Sequence, residues 1–524
     1  MFGSRRDAGR APALVAVAAV LAAALCAAAY WLGPPGVDEP AHVYQLWSYQ
    51  HNGFAWWDNM WYSGRYQFIT YSALYYPLAS LLGIGATAVL SSAVLGAAAT
   101  AFLGDVYGRR ARGPALLLAA TAPLGITISG AYPFLCGAAA MAVALLCVLR
   151  GWRIGFAVSI VVCLGMSPLA LALLATVLAG AAAGMGIRRC LRARRFELVA
   201  LVVVLAAGAA VQLAFSTGAR YPYSGRDLLE QVAFSVAGIW VCGSRPEARP
   251  LRGVFAALLI LNVAAFLLAG SLGSNAGRLF VDAGTALLWL AAVAARRRSR
   301  AVALVLVACF AAQAWPHARD LAGSWSNPAT GAAYWAPAIA FLHDRGDRQN
   351  RVEVVASWGH WEADYLPRAG IAIARGWFRQ DDFPQNAVLY QSTLTGAEYD
   401  AWLRSVGVRY VVLPDAPLDY SAMAEAALIR SGRSGLRPLG RAGHLRFYEL
   451  PRAEPVVTGP GRPRLLSLAD GRVAFTAPAA GRYLLRVRYS RYWSGAPVAR
   501  GAHDMTEVTV RRPGTVRLAV SPFG

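Results

Sequence analysis

"PPGVDEPAHVYQLW", residues 34–47, follows directly on the first long apolar run of the chain. It places two adjacent carboxylates, Asp38 and Glu39, where a membrane span would meet water. Proline at 40 suits the first turn of a helix, where its missing N–H costs nothing. A helix starting here sets Asp38 and His42 four apart on one face, with Glu39 three before His42. The rest of the chain is read outward from this acidic pair.

The 524 residues are 57% hydrophobic and 15% charged, with a mean hydropathy of +0.42. A soluble chain carries roughly a quarter charged residues, so the composition is that of a polytopic membrane protein. The net charge is +22, and with no lysine in the sequence all 50 basic residues are arginine. They sit largely in short clusters between apolar runs, a pattern of membrane anchoring and not of a nucleic-acid groove. Seven cysteines lie in or beside apolar runs, without a CxxC pair, so neither a zinc site nor a disulfide framework is indicated. The N-terminal "MFGSRRDAGR" and the apolar run to Leu32 have the order of a signal peptide, but the run is long enough to span and is taken as a retained span.

Eleven apolar stretches qualify as spans, at roughly 11–32, 80–103, 114–131, 133–149, 154–168, 169–187, 197–216, 228–243, 253–271, 279–295 and 301–316. With about 11 spans, the arginine clusters around residues 5–10, 109–112, 150–153, 188–195, 245–252 and 296–300 all fall on one side. The positive-inside rule makes that side cytoplasmic. The prediction is a polytopic α-helical membrane domain over 1–316 with both a long first outer loop, 33–79, and the whole tail outside. The tail reads as an extracytoplasmic α/β unit over 317–455 and a β-sandwich over 456–524. Within it, "VEVVAS" and "VRYVVLP" read as strands, and "TGAEYDAWLRSVG" as a helix with a Thr cap. "RLLSL", "RVAFTA", "GRYLLRVRYS", "EVTVRR" and "TVRLAVS" read as short sandwich strands.

The first outer loop is rich in tryptophan and tyrosine, with Trp47, Trp56, Trp57 and Trp61. Aromatics with polar tips settle at membrane–water interfaces, and helices over 39–51 and 67–82 are expected to lie along that surface. Flat rings such as Trp57 also stack on sugars. Two readings stand for the acids. Asp38 serves as an N-cap and Glu39 as a first-turn acid, or the pair beside His42 gains basicity near low-dielectric surroundings and takes a proton from a hydroxyl.

This arrangement resembles the GT-C superfamily of membrane glycosyltransferases, in which one span leads into a long outer loop opening on an acidic pair, here Asp38 and Glu39. More narrowly, it is similar to actinobacterial membrane proteins of that superfamily, including a 6-pyruvoyl-tetrahydropterin synthase-related membrane family; no histidine triad for pterin chemistry is present. The resemblance implies an inverting glycosyltransferase of the plasma membrane. It would move a sugar from a polyprenyl-phosphate donor to a cell-envelope glycan, glycolipid or protein acceptor, with membrane lipids around it and no nucleic acid. Several such enzymes carry further acids in the second outer loop. Here that loop is "SGAYPF", 129–134, without an acid, so no metal and no other cofactor is expected.

In the later loops, "GARYPYSGRD" offers Arg220, and "GSLGSNAGRLF" puts Asn275 and Arg278 where a helix begins. Arginine at a glycine-rich helix start holds phosphate, and the resemblance favours Arg278 or Arg220 for the lipid phosphate, with Arg65 a further candidate. The alternative is arginine snorkelling to the interface. "GSNAGR" follows no strand and is not a dinucleotide fingerprint. In the tail, His360, Trp361 and Glu362 lie in a polar, aromatic stretch expected either to shape the acceptor site or to pack as a loop. The competing functional class is a non-enzymatic lipid or glycan transporter or envelope-assembly scaffold. Against transport, most spans lack charge in their middle, Asp282 and Glu197 being the nearest exceptions, and no inverted repeat is visible.

Overall fold

The computed structural model describes residues 11–522, so Arg5, Arg6 and Arg10 of the first arginine cluster lie outside the described residues. The chain divides into two compact units. The first comprises the segment up to Glu39 together with Tyr71–Ser216 and Arg220–Trp325; the second comprises Pro40–Thr70, Thr217–Ala219 and everything from Ser326.

The first unit is a helical bundle. Among the described residues, 8 helical stretches are long and apolar enough to cross a membrane. One of them, Ile84–Ser129, has 46 residues and is broken by the tight turn Gly108–Ala111 into Ile84–Tyr107 and Arg112–Ser129. Two of the expected spans appear as lesser helices. Arg153–Met166 is apolar but only 14 residues long. Gly225–Cys242 carries Arg226, Asp227 and Glu230 in its first two turns. The last helix, Arg300–Trp325, runs straight through Pro316 and past the boundary expected there. The fall in hydropathy after residue 316 marks a more polar stretch of the same helix, not its end.

Small residues set the close helix crossings, as they do where lipid removes the hydrophobic drive for association. A Cβ on Gly253 would lie 2.0 Å from the Gly180 carbonyl oxygen, and one on Gly184 would lie 2.1 Å from that of Arg249. The helices Pro168–Met185 and Arg249–Leu267 therefore touch backbone to backbone. Gly96 likewise admits Ala18 of the first helix. Phe234, Phe255 and Phe280 fill the neighbouring core, with ring centroids 5.4 and 5.0 Å apart around Phe234. Val20, Leu81, Val199 and Leu304 stay exposed on the outside of the bundle, as lipid-facing residues would.

The second unit holds a mixed four-stranded sheet in the order Arg351–Val354, Val408–Pro414, Leu445–Glu449, Arg437–Ala442. Only the first pair is parallel. The helix Gly396–Ser405 starts on the expected threonine: Thr395 and Glu398 form a reciprocal capping box. From Val457 on, two four-stranded antiparallel sheets form the sandwich. Val473, Phe475, Tyr483, Leu485 and Leu518 form its interior, and Phe475 meets Tyr483 of the opposite sheet at 5.7 Å between ring centroids.

The aromatic first loop is largely core and not a surface belt, although Trp47 and Trp56 keep part of their surface and Phe54 is exposed. Trp57, Trp61 and Tyr62 are all at most 1% exposed. The Trp61 indole donates to the Ala363 carbonyl at 3.0 Å, and the Ile373 amide donates to the Met60 carbonyl at 2.9 Å. The helix Glu39–Asn52 buries Ala41, His42, Tyr44, Gln45 and Ser48. The expected helix over 67–82 is a short turn at Phe68–Thr70 followed by Tyr75–Leu82. Aromatics with a polar atom suit a protein interior as well as an interface once each N–H or O–H has a partner.

Candidate active site

Two backbone approaches in the first unit fix the acidic pair. The Asp38 amide donates to the Ser129 carbonyl at 2.9 Å. A Cβ on Gly36 would lie 2.5 Å from the Gly130 nitrogen, and one on Gly130 would lie 2.8 Å from the Glu39 nitrogen. Gly130 also has φ +79°, ending the helix Arg112–Ser129 in the left-handed conformation that glycine adopts without penalty. The acid-free loop 129–134 thus contributes no carboxylate but seats the loop that does.

Glu39 turns inward. Its Oε2 accepts from the Gly36 amide at 3.1 Å and from the Tyr132 hydroxyl at 3.0 Å. Burial raises its pKa, and these two donors offset part of that rise. Asp38 points elsewhere. Its Oδ2 accepts from Arg278 Nη2 at 3.4 Å, and the two side chains are 14% and 21% exposed. The guanidinium also lies 5.6 Å from the centroid of the Phe134 ring, and Tyr71 and Tyr221 are among its electrostatic neighbours. Arg278 opens the helix Arg278–Ala294, and its amide donates to the carbonyl of Asn275, a half-buried residue of the preceding tight turn. That turn is pinned in its own right. The Tyr221 amide donates to the Gly270 carbonyl at 3.0 Å, and Gly273, at φ +47°, leaves no room for a Cβ beside the Tyr221 carbonyl.

One helical turn beyond Arg278 lies Asp282, with a side chain 5% exposed and neither carboxylate oxygen hydrogen-bonded within the protein. His317 Nε2 approaches Asp282 Oδ1 at 3.9 Å and the Val281 carbonyl at 3.4 Å. The imidazole fits there because residue 125 is glycine: a Cβ would stand 2.6 Å from Nε2. Asp38, Arg278, Asp282 and His317 therefore form one polar cluster at an end of an otherwise apolar bundle. The sequence showed Asp282 only as a charge inside a span. Its i,i+4 relation to Arg278 was the available signal; His317 had none, being 35 residues further on in another helix.

Of the other predicted residues, Arg220 belongs to the first unit and is exposed. The remainder lie in the second unit. His42 is fully buried, and burial holds its pKa at about 3, so the ring is neutral. Arg65 is committed to Asp381 at 2.8 Å and lies over the Phe378 ring at 4.1 Å. Trp57 donates to Asn59 Oδ1 at 2.9 Å and packs edge-on against Tyr66 and Trp493, which leaves no open face for a sugar. His360 lies 3.4 Å from Glu362 and 3.6 Å from Asp419, while Trp361 stacks on Tyr365. These three belong to a buried polar network of the α/β part.

Among the described residues, no group of three or more His, Cys, Asp and Glu side chains is placed to hold a metal ion. No family model matches the chain, and no curated protein matches it. Among solved structures it is similar to the arabinofuranosyltransferase AftD from mycobacteria, at TM-score 0.46 and 17% identity over 86% of this chain, but it spans only 40% of that enzyme's length. It is also similar to the archaeal oligosaccharyltransferase AglB from Archaeoglobus fulgidus, in complex with an inhibitory peptide and a dolichol-phosphate. There the TM-score is 0.35 and identity 14%, over 78% of this chain and 70% of that one. At such scores and identities the likeness carries no functional argument.

In chemical terms the cluster offers one partly exposed carboxylate, one partly exposed guanidinium, and a buried carboxylate–imidazole pair behind them. A guanidinium at a helix start is a site for an oxyanion. A carboxylate that such an anion displaces from its arginine is a base in waiting.

Proposed function

We propose that the protein is a GT-C-type membrane glycosyltransferase of the plasma membrane, with the acidic pair and the second unit on the outer face. Its donor is a polyprenyl-phosphate sugar and its acceptor a hydroxyl of a cell-envelope glycan, glycolipid or protein. The observation that carries this reading is the pairing of Asp38 with Arg278 across 240 residues of chain, both partly exposed at an end of an apolar bundle.

The steps follow from that pairing. The donor's phosphate takes the guanidinium of Arg278, in competition with Asp38. Freed of its arginine, Asp38 gains basicity and removes the acceptor's proton as the acceptor oxygen attacks the sugar's anomeric carbon. The bond between that carbon and the phosphate oxygen breaks, with inversion, and Arg278 stabilises the departing phosphate. Glu39 is assigned a positioning role, because its Oε2 is occupied by Gly36 and Tyr132. Asp282, one turn along the helix, supports the charge of Arg278, and His317 packs against Asp282. His42 takes no part in proton transfer, being buried and neutral in the second unit.

The test is consumption of a polyprenyl-phosphate sugar by the protein reconstituted in vesicles, with Asp38→Asn beside the wild type. Loss of transfer with normal expression is expected. A wild-type protein that moves the lipid-linked sugar across the bilayer with its glycosyl bond intact would replace this reading with a transporter.

A further inference from the structure

A second acidic pair lies in the second unit. Asp58, in the two-residue strand after Trp56, is 0% exposed. Its Oδ1 accepts from the Tyr44 hydroxyl at 3.2 Å and the Met60 amide at 2.7 Å, but its Oδ2 receives no hydrogen bond within the protein. Asp470 stands at the turn between the sandwich strands Arg464–Ala469 and Arg472–Ala477. Its Oδ2 accepts from Ser48 at 2.6 Å and Asn52 at 3.0 Å, and its Oδ1 is likewise buried without a donor. Asn59 ties the two segments together, donating to the Ala469 carbonyl at 2.6 Å.

Two further buried amides lie close by, one on the helix that carries Ser48 and one bonded to Ser48 itself. Gln67 is fully buried; its Nε2 donates to Ser48 Oγ at 3.1 Å, while its Oε1 has no partner. Gln45 shares the buried helix face of Tyr44 and Ser48, and neither atom of its amide is hydrogen-bonded. Buried carboxylate and amide oxygens without donors are costly. Here Asp470 and Gln67 meet at the Ser48 hydroxyl, and the Asp58 carboxylate lies within electrostatic reach of Asp470. Burial first, and Asp470 second, push Asp58 well above the ordinary carboxylate range, and the charge of Arg65 pulls it back only in part, so further positive charge would favour the two carboxylates ionised together. The charges of Arg65 and Arg351 reach Asp58 without contact: Arg65 binds Asp381, and Arg351 donates to the Arg486 carbonyl. The other buried carboxyl pair of this unit, Glu353 and Glu425, differs in having the Arg375 guanidinium 3.8 Å from Glu425.

We propose that Asp58 and Asp470 bind a calcium ion, with amide oxygens of Gln45 and Gln67 completing an all-oxygen shell. Calcium accepts six to eight oxygen ligands in flexible geometry and takes amide and carboxylate oxygens alike, whereas magnesium demands a tight octahedron. The ion joins the aromatic loop 40–70 to the sandwich hairpin within this unit. Its role is to lock that loop, and it takes no part in sugar transfer.

The test uses the full-length chain in detergent, with Tb³⁺ as the probe and Trp57, next to Asp58, as its antenna. Saturable emission at one Tb³⁺ per chain, displaced by Ca²⁺ and reduced in affinity at least tenfold in Asp470→Asn, is expected. Chelation with EGTA should lower the melting temperature of the wild type and leave that of Asp470→Asn unchanged. Asp470→Asn keeps the size of a part-buried turn side chain and spares the fully buried Asp58, so the comparison does not depend on replacing a core residue. No saturable emission, equal Tb³⁺ affinity in wild type and Asp470→Asn, or a melting temperature indifferent to Ca²⁺ and EGTA would overturn the site. Two aspartates sharing one proton would then explain the pair.

Discussion

Replacing Asp38 by asparagine keeps the shape of the side chain and removes its charge and basicity. Two magnitudes separate a chemical role from a structural one. The pair with Arg278 is a long contact, 3.4 Å, between side chains 14% and 21% exposed, and asparagine can still accept from the guanidinium, so its loss costs about 1–3 kcal/mol of stability. Against a total stability of roughly 5–15 kcal/mol, that leaves the protein folded. Loss of a general base costs roughly 10²–10⁴ in rate, or about 3–5 kcal/mol on the barrier. Asp38→Asn should therefore melt within a few degrees of wild type and yet transfer sugar at least a hundredfold more slowly. Glu39→Gln is the internal control. Its amide oxygen still accepts from Gly36 and Tyr132, and burial already disfavours the charge it loses. It should keep activity within about tenfold of wild type, because hydrogen bonding rather than basicity is its assigned work. The assay is turnover of a polyprenyl-phosphate sugar in vesicles, with melting followed in detergent. Asp38→Asn turning over at more than a tenth of the wild-type rate would refute the assignment, and so would Glu39→Gln proving the inactive variant of the two.

Three further outcomes are expected. Arg278→Ala should cost roughly 10²–10³ in kcat, the loss seen when a preorganised donor to a developing anion is removed; Arg278→Lys should recover part of it, and a saturation curve in donor concentration checks both. Gly130→Ala forces a left-handed φ on alanine, at about 1–2 kcal/mol, and drives a Cβ to 2.8 Å from the Glu39 nitrogen; a lower melting temperature together with a roughly tenfold to hundredfold loss of transfer should follow from the displaced acid. For His360, burial pulls the pKa down, but the close carboxylates of Asp419 at 3.6 Å and Glu362 at 3.4 Å outweigh it and raise it to about 9, while Arg379 holds Asp419 at 2.9 Å. A raised folded pKa contributes stability that is fully present below the unfolded value of about 6.5 and is lost as pH climbs through about 9. The second unit's melting temperature should fall across that window in wild type and run flat in His360→Asn.

The bundle was legible because its signals are redundant. Each apolar run is long, and arginine punctuates the loops, so misreading one boundary leaves the architecture intact. The last helix shows the limit of that logic. Hydropathy falls at Pro316, yet a proline inside a helix loses only one hydrogen bond, and the backbone continues to Trp325. The tail was legible where local chemistry decides: Thr395 caps its helix through Glu398 as the spacing requires. The first loop was misread for the opposite reason. Trp57 and Trp61 suit an interface and a core equally, and what distinguishes the two is a partner hundreds of residues away, the Ala363 carbonyl for Trp61.

The candidate site divides in the same way into a half readable in the sequence and a half set by packing. Asp38 and Glu39 announced themselves as adjacent acids, but their sequence is silent on which of them faces a cation. Packing decides it. Gly36 and Gly130 bring two backbones together so closely that the loop has one seating, with Glu39 turned under Tyr132 and Asp38 left toward Arg278. Arg278 was singled out for its place at a helix start, and the helix then delivers Asp282 one turn later without further instruction. His317 completes the cluster only because residue 125 carries no side chain. Three glycines, at 36, 125 and 130, thus do as much to assemble the polar cluster as the charged residues themselves. A bulkier residue at any of them should damage activity in a protein that retains every proposed catalytic group.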